Sequence, residues 1–514
     1  MGTLQIREVG KIKEVKKSIA KIVGLKQCMI GQLLDITSGV KGIIMGFVEG
    51  EIIVFLLGKI EEAKVGLTVH SDMKPFTIPV GEEFLGRIVN ALAEPIDGKG
   101  PANLGPQRIA AYVDRKNIPA LPKQRNPVFR EAPSVLQRIP IDEALETGNL
   151  IIDAMIPVGK GQRQLIVGDR MTGKTTLGID TILNQKDKNV ICIYCCIGRS
   201  YVSIEKVVET FKLNNALEYT ITVVAHATSS SGEQFLCPYT ACALGEYFMD
   251  RGRNVFIVFD DMTKHAWAYR QLSLLMERPP GRNAYPGDIF YIHSQLIERA
   301  GRYSSEFQGG SMTFFPIVDT IQGDITGYIP SNLVSMTDGQ IYLDTSLFKG
   351  GVRPAIDMGL SVSRIGSKVQ CPAIKELSNM LRLEYLRYNE LLKVTRFKAN
   401  VSKDVSQRLR QGEVLMQLFS QENNKPYILA RQVVLLYALK RKVLNDLGKD
   451  ELENVKQNIF EFVKNEIPDS IADIEKSKEL KDSVKKKLDK CFISFFQSKE
   501  RAAVPEALES QREG

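Results

Sequence analysis

The residues with the clearest chemistry form a glycine-rich loop between an apolar run and a helix-compatible run. The loop reads Gly168-Asp-Arg-Met-Thr-Gly-Lys-Thr175. Glycines at this spacing let the backbone N–H groups turn inward around a phosphate, and the following helix adds the positive end of its dipole. The pattern predicts a nucleotide-binding P-loop, in which Lys174 supplies a charge to the outer phosphates and the Thr175 hydroxyl ligates Mg²⁺. The predicted contacts are Gly168, Asp169, Arg170, Met171, Thr172, Gly173, Lys174, Thr175 and Thr176.

A second apolar run ends on a carboxylate some eighty residues later. It reads Asn254-Val-Phe-Ile-Val-Phe-Asp260-Asp261, which is the Walker B pattern. Aspartate ends many strands, so the pattern alone is weak, but it gains weight when it follows a P-loop. We expect Asp260 to hold Mg²⁺ opposite Thr175, through water.

The elements that must position these residues indicate a multidomain α/β protein. Short β-like runs at 19–23, 42–45, 51–57 and 84–89 predict a small N-terminal β-barrel. Later runs at 190–197, 219–224, 255–259 and 312–318 alternate with helical stretches, which indicates a mainly parallel sheet flanked by helices.

The C-terminal part shows helical periodicity and predicts an α-helical bundle. Apolar residues recur at three- and four-residue steps, and one helix is predicted through Ile374, Leu377, Leu381, Tyr385, Tyr388 and Leu392. The predicted domains are 1–100, the barrel; 101–370, the nucleotide domain with its connector; and 371–500, the bundle. A disordered tail is predicted over 501–514, and the proline-rich segment 102–140 is predicted to be an extended connector.

Composition excludes several classes of protein. The 514 residues are 44% hydrophobic and 25% charged, which is ordinary for a globular protein. The net charge of +8 is spread out rather than clustered, so no nucleic acid is expected as a partner. The eight cysteines lack metal-ligand spacing and are predicted to be buried thiols. No transmembrane segment or signal peptide is expected.

Arg364 lies in a loop of small residues, Leu360-Ser-Val-Ser-Arg-Ile-Gly366. It is either a surface or salt-bridge arginine or an arginine finger that reaches the γ-phosphate of a neighbouring subunit. Residue spacing leaves both interpretations open.

Several motifs together resemble the alpha subunit of the rotary F-type ATP synthase, from about residue 10 to about residue 440. The Gly-Asp-Arg-x-Thr-Gly-Lys-Thr form of the P-loop is typical of alpha rather than of the catalytic beta subunit. The other motifs are Phe259-Asp-Asp261, Ala268-Tyr-Arg-Gln271, Arg278-Pro-Pro-Gly-Arg282, Ala284-Tyr-Pro-Gly-Asp288, Thr337-Asp-Gly-Gln-Ile341, Val352-Arg-Pro-Ala355 and Gly359-Leu-Ser-Val-Ser-Arg364.

The resemblance implies a β-barrel crown, a RecA-like nucleotide domain and a helical bundle. It also implies a ring of three alpha and three beta subunits around a central gamma stalk, on the cytoplasmic side of a bacterial plasma membrane or the equivalent face of an organelle membrane. The membrane is contacted only through a proton- or sodium-translocating sector. Because the N-terminal segment is short, attachment to a delta-type peripheral-stalk subunit is left open.

The resemblance also assigns roles to residues. Arg364 is expected to act on the catalytic site of an adjacent beta subunit, and Ser361 to help position it. Arg353, Pro354, Gln421 and Asn423 match positions that pack around adenine. The bound cofactors would be ATP or ADP with Mg²⁺.

The chain's own site is predicted not to be catalytic. Hydrolysis needs a group that activates water, and in beta a Glu does this just after the strand that follows the P-loop helix. Here that place reads Cys196-Ile-Gly-Arg-Ser200. This segment also lacks the usual Gln and Lys of alpha, and Met171 stands where alpha has Gln, so polar groups near the phosphates are lost.

Two other functions remain as alternatives. A self-sufficient homohexameric ATPase of the secretion-motor type would need a water-activating Glu. A Rho-like RNA translocase would need aromatic residues interleaved with basic ones on a barrel face, whereas the barrel offers chiefly Phe47, Phe55 and Phe84.

Overall fold

A computed structural model describes residues 7–101, 124–395, 403–445 and 447–509. These form two compact units, one from Met1–Ile141 with Lys160–Gln340 and the other from Asp142–Gly159 with Ile341–Gly514. Most of the connector, 102–123, and the end of the predicted tail, 510–514, lie outside the described residues. Among the described residues, none of the helices combines the length and the apolar character needed to cross a bilayer.

The first unit begins with a closed six-stranded barrel, as predicted. Around it the strands follow the order β1-β2-β5-β4-β3-β6. Alternating apolar side chains fill the interior, among them Ile22, Leu34, Ile44, Val54 and Val69. The strands are β1 (Glu8–Lys16), β2 (Ile19–Val23), β3 (Gln32–Ile36), β4 (Lys41–Val48), β5 (Glu51–Leu57) and β6 (Thr68–Pro75).

The remaining strands include the mainly parallel sheet predicted for the nucleotide domain. They are β7 (Thr77–Pro79), β8 (Ile88–Val89), β9 (Arg125–Pro127), β10 (Leu165–Gly168), β11 (Val190–Arg199), β12 (Thr220–His226), β13 (Asn254–Asp260), β14 (Gly301–Arg302), β15 (Ser311–Asp319), β16 (Gly339–Leu343) and β17 (Val362–Ser363). Strands β10, β15, β13, β11, β12 and β8 lie side by side, all parallel. Their carboxyl ends therefore meet at one edge of the sheet.

The run 84–89 is the exception to the predicted barrel. Only its end forms a strand, and β8 pairs in parallel with β12 through Ile88–Thr222 and Val89–Val223. The barrel already closes through β1 and β6, so it leaves no edge for this strand, whereas β12 offers an open edge of the sheet.

The helices follow the predicted alternation and the predicted C-terminal bundle. In chain order they are α1 (Leu150–Met155), α2 (Lys174–Leu183), α3 (Tyr201–Leu213), α4 (Ser231–Met249), α5 (Met262–Leu275), α6 (Ile289–Ile297), α7 (Tyr328–Met336), α8 (Thr345–Lys349), α9 (Pro372–Ser378), α10 (Leu381–Thr395), α11 (Lys403–Phe419), α12 (Leu429–Lys440), α13 (Lys449–Glu466), α14 (Pro468–Ser477) and α15 (Asp482–Glu509).

The single helix predicted across Ile374 and Leu392 is two helices, α9 and α10. The chain turns at Asn379 and Met380 between them. Asparagine favours helix ends because its side chain competes for local hydrogen bonds. The apolar period continues across the turn because Leu377 and Leu381 are both buried, so periodicity alone could not locate the break.

Candidate functional site

The P-loop joins a fully buried strand to a helix at the carboxyl edge of the sheet. Strand β10 ends at Gly168, and α2 starts after Gly173, whose φ of 99° is the left-handed conformation that favours glycine. The Asp169 carboxylate stabilises the loop by accepting hydrogen bonds from the Thr320 hydroxyl at 2.6 Å and the Gly323 N–H at 2.8 Å. The sequence-predicted strand, loop and helix therefore occur at these residues.

Lys174 lies inside the loop and is only 4% exposed. Its ammonium donates to the Gly168 carbonyl at 2.8 Å and to the Asp169 carbonyl, and it lies 3.0 Å from Asp319 Oδ1. Asp319 ends β15, the strand beside β10. Lys174 therefore carries its charge at the loop and is fixed by groups on two neighbouring strands.

Asp260 and Thr175, the predicted metal ligands, lie together. The Thr175 hydroxyl donates to Asp260 Oδ2 at 2.9 Å, and the buried Tyr194 hydroxyl donates to the same oxygen at 2.7 Å. Strand register explains why β11 lies next to Asp260, because β11 and β13 run in parallel with Cys196 opposite Asp260. The strand order thus brings the end of β11 against the Walker B carboxylate.

Arg199 also binds this carboxylate. Its Nε donates to Asp260 Oδ1 at 3.1 Å and its Nη2 contacts the same oxygen, while Nη2 donates to the Thr175 hydroxyl oxygen at 3.2 Å. Oxygen donors of the kind that Mg²⁺ prefers are present in Thr175 and Asp260, but a guanidinium occupies both. The donor set therefore does not fit a metal ion while Arg199 remains in place.

The charge balance of the residues around Asp260 depends on buried carboxylates. Burial, and then the nearby Asp260 and Asp319, raise the pKa of Asp261 to about 7. Burial alone would lower the pKa of Arg199, but Asp260 and Asp261 outweigh it and raise that pKa above its ordinary value. Arg199 is therefore a permanent cation that balances carboxylates held out of water.

Two predicted loop residues face outward. Met171 is 89% exposed with a φ of 63°. Arg170 pairs with Asp319 at 3.2 Å and lies 5.9 Å from the Trp267 ring centroid. Thr172 is buried, and its hydroxyl donates to the Asp169 carbonyl at 2.8 Å.

Sequence reasoning missed three residues of this cluster, Tyr194, Arg199 and Asp319. Asp319 had a signal, since it ends an apolar run just as Asp260 does. Arg199 had a weaker one, since a cation ends the strand after the P-loop helix. Tyr194 gave no signal, because a tyrosine inside an apolar strand is normally core.

The second unit holds Ser361 and Arg364. Ser361 is fully buried, and its Oγ accepts a hydrogen bond from the Tyr342 N–H at 2.9 Å. The Ser361 carbonyl accepts one from Arg382 at 3.0 Å. Arg364 directly follows the short strand β17 and is exposed. Ser361 thus fixes the start of a segment that presents Arg364 outward.

The predicted adenine residues lie in the same unit. The backbone N–H of Gln421 donates to the Arg353 carbonyl at 2.7 Å, so these two residues are neighbours. The side-chain amide of Gln421 donates to the Gly148 and Lys425 carbonyls at 2.9 and 2.8 Å. The Arg353 guanidinium lies 3.5 Å from the Phe348 ring centroid, Pro354 follows it, and Asn423 is exposed.

Comparison with known proteins places the chain in a family. Residues 148–363 match the family described as ATP synthase alpha/beta family, nucleotide-binding domain, and residues 370–495 match ATP synthase alpha/beta chain, C terminal domain. The chain is 42% identical over 493 residues to ATP synthase subunit alpha of Clostridium botulinum (strain Eklund 17B / Type B), covering 96% of this chain and 94% of the relative. It is 41% identical over 493 residues, with the same coverage, to ATP synthase subunit alpha of Caldanaerobacter subterraneus subsp. tengcongensis. The chain therefore belongs to the ATP synthase alpha/beta family, among its alpha subunits.

Proposed function

We propose that this chain is the non-catalytic, regulatory alpha subunit of a rotary ATP synthase, holding ATP or ADP in its own P-loop. It would assemble with beta subunits in a ring around gamma, peripheral to a membrane and coupled to proton or sodium translocation. Its contribution to chemistry would be Arg364, delivered to the catalytic site of an adjacent beta subunit. The 42% identity to alpha subunits over 96% of the chain supports the assembly.

The observation that carries the non-catalytic role is the residue at the end of β11. A water-activating carboxylate is expected there in a catalytic subunit, and this chain has Arg199, whose guanidinium binds Asp260. A guanidinium has no lone pair to accept a proton at neutral pH. It therefore cannot serve as a general base, and nucleotide in this site should not be hydrolysed.

The exposure of Arg364 supports its action outside the chain. An arginine finger must reach a phosphate bound elsewhere, so its guanidinium has to be presented at the surface. Buried Ser361 holds the preceding segment through the Tyr342 N–H and Arg382. This arrangement suits a cation whose position must be set before the neighbouring subunit docks.

The test is Arg364→Ala in a ring reconstituted with beta and gamma. Removing an arginine finger costs about 10³-fold or more in turnover, while the assembled ring should form normally by size-exclusion chromatography. Lys368→Ala is the matched control, because Lys368 is also an exposed cation near this segment, and it should leave turnover unchanged. Unaltered turnover in the Arg364 variant would refute the role, and ATP hydrolysis by the purified chain alone would favour a self-sufficient ATPase.

A further inference from the structure

Arg199 and a divalent cation would compete for the same atoms. Asp260 Oδ1 takes two guanidinium contacts, and the Thr175 hydroxyl oxygen lies 3.2 Å from Arg199 Nη2. These are the two side chains from which a P-loop site ordinarily holds Mg²⁺, directly or through water. A guanidinium has only donors and cannot ligate a metal. A metal ion would therefore have to displace Arg199 before it could bind.

Burial makes that displacement costly. The side chains of Asp260 and Asp261 are each 1% exposed, and Arg199 is 31% exposed. A carboxylate withdrawn from water needs a counter-charge with good hydrogen-bond geometry. Arg199 supplies it to Asp260 through the hydrogen bond from Nε to Oδ1 at 3.1 Å. It also lies near Asp261 as an ion-pair partner, with Nη2 at 3.7 Å from Oδ2.

The backbone turns just before Arg199, with a positive φ at Gly198. Gly198 has a φ of 63°, and a Cβ there would lie 3.0 Å from Gln234 Oε1 and 3.1 Å from Lys264 Cβ. The pairing of β11 with β12 shifts register between Ile197 and Arg199. A side chain at this position would be strained by the positive φ and crowded by Gln234 and Lys264, so the turn just before Arg199 favours glycine.

We propose that Arg199 takes the place of the divalent cation in this P-loop, so that the site holds a nucleoside di- or triphosphate free of metal. Lys174 inside the loop and Arg199 on the Walker B carboxylate then both supply positive charge to the site. The inference rests on the proposed nucleotide-holding role and specifies the ionic form of the ligand.

The test measures ATP affinity of the purified full-length chain by equilibrium dialysis, with excess Mg²⁺ and with EDTA. For the natural chain the dissociation constant for total ATP should be higher with excess Mg²⁺ than with EDTA, by about tenfold or more, because Mg²⁺ removes the free nucleotide that the site holds. In Arg199→Gln, which keeps length and polarity but loses the charge, EDTA should weaken binding by about tenfold or more, the loss expected for one charge-assisted contact. Lys212→Gln removes an exposed charge on α3 and should behave as the natural chain. Lys174→Ala should lose binding in both conditions, which assigns the binding to this loop.

A second readout detects the metal itself. With Mn²⁺ in place of Mg²⁺, electron paramagnetic resonance should show protein-bound Mn²⁺ with ATP in the Arg199→Gln chain and not in the natural chain. Binding to the natural chain that is equally strong or stronger with Mg²⁺ would overturn the inference and leave the nucleotide-holding role intact. Metal-independent binding by Arg199→Gln would overturn the role of Arg199. Absence of ATP binding in every condition would overturn both proposals.

Discussion

Breaking the buried ion pair between Arg299 and Glu246 should destabilise the first unit strongly. The Arg299 side chain is 0% exposed and that of Glu246 is 3% exposed. Arg299 Nε and Nη2 donate to the two Glu246 oxygens at 2.7 Å each, and Nη1 donates to the Val128 carbonyl at 2.8 Å. Glu246 lies on α4, which packs against β11 and β13, so the pair supports the strands that end at Arg199 and Asp260.

The expected magnitude follows from what each substitution leaves behind. Arg299→Met leaves the Glu246 carboxylate buried, with Arg130 as the nearest remaining cation at 3.9 Å. Breaking one side of a buried pair costs roughly 3–5 kcal/mol. Because Arg130 remains nearby, we expect about 3 kcal/mol. Replacing both residues, as Glu246→Leu with Arg299→Met, removes the uncompensated charge and should cost less than about 1 kcal/mol.

The assay is urea unfolding followed by tryptophan fluorescence. Trp267 is the single tryptophan of the chain and lies on α5 of the first unit, so its signal reports this unit. Lys41→Met is the control, since it breaks a half-exposed ion pair with Glu94 at 2.7 Å and should cost less than about 1 kcal/mol. The reasoning would be refuted if the free energy of unfolding of Arg299→Met lay within about 1 kcal/mol of that of the natural chain. It would also be refuted if the double variant were less stable than Arg299→Met.

Two further predictions concern positioning and pH. Ser361→Ala removes the buried acceptor of the Tyr342 N–H. We expect the turnover of the ring to fall but to stay above that of the Arg364→Ala ring. Turnover equal to that of the natural ring would contradict a positioning role. Burial lowers the pKa of His293 from 6.5 to about 4, so the unfolded chain takes up a proton in this range that the folded chain does not. Stability should therefore be retained above pH 6.5 and fall by about 3 kcal/mol from this residue as pH drops to about 4. The measurement is urea unfolding of His293→Leu at several pH values. In this variant the slope of the unfolding free energy against pH should correspond to the uptake of one proton fewer on unfolding. A slope equal to that of the natural chain would contradict the assignment.

The parts of the fold that depend on consecutive residues were predictable. Glycine spacing predicted the P-loop between a strand and a helix, and apolar runs predicted the barrel, the parallel sheet and the helical bundle. The predictions were wrong where the structure of a segment depends on contacts with distant residues. The run 84–89 has the composition of a barrel strand, but only its end pairs, and it pairs with β12. The break at Asn379 was hidden because the apolar period continues through it. The predicted domain limits and the role of each site residue stay predictions.

The sequence by itself predicted a phosphate loop with Lys174 and a carboxylate at Asp260, and it has Arg199 where the family resemblance implies a base in a catalytic subunit. Local spacing encodes these features because the turn, the strand and the helix are each built from adjacent residues. Only the tertiary structure decided that Arg199 binds Asp260 and Thr175. That contact arises because β11 lies beside β13 in parallel register, which places the end of β11 next to Asp260. Arg199 and Asp260 lie 61 positions apart in the chain, and their charges balance each other only because the strand order brings the ends of β11 and β13 to one edge of the sheet.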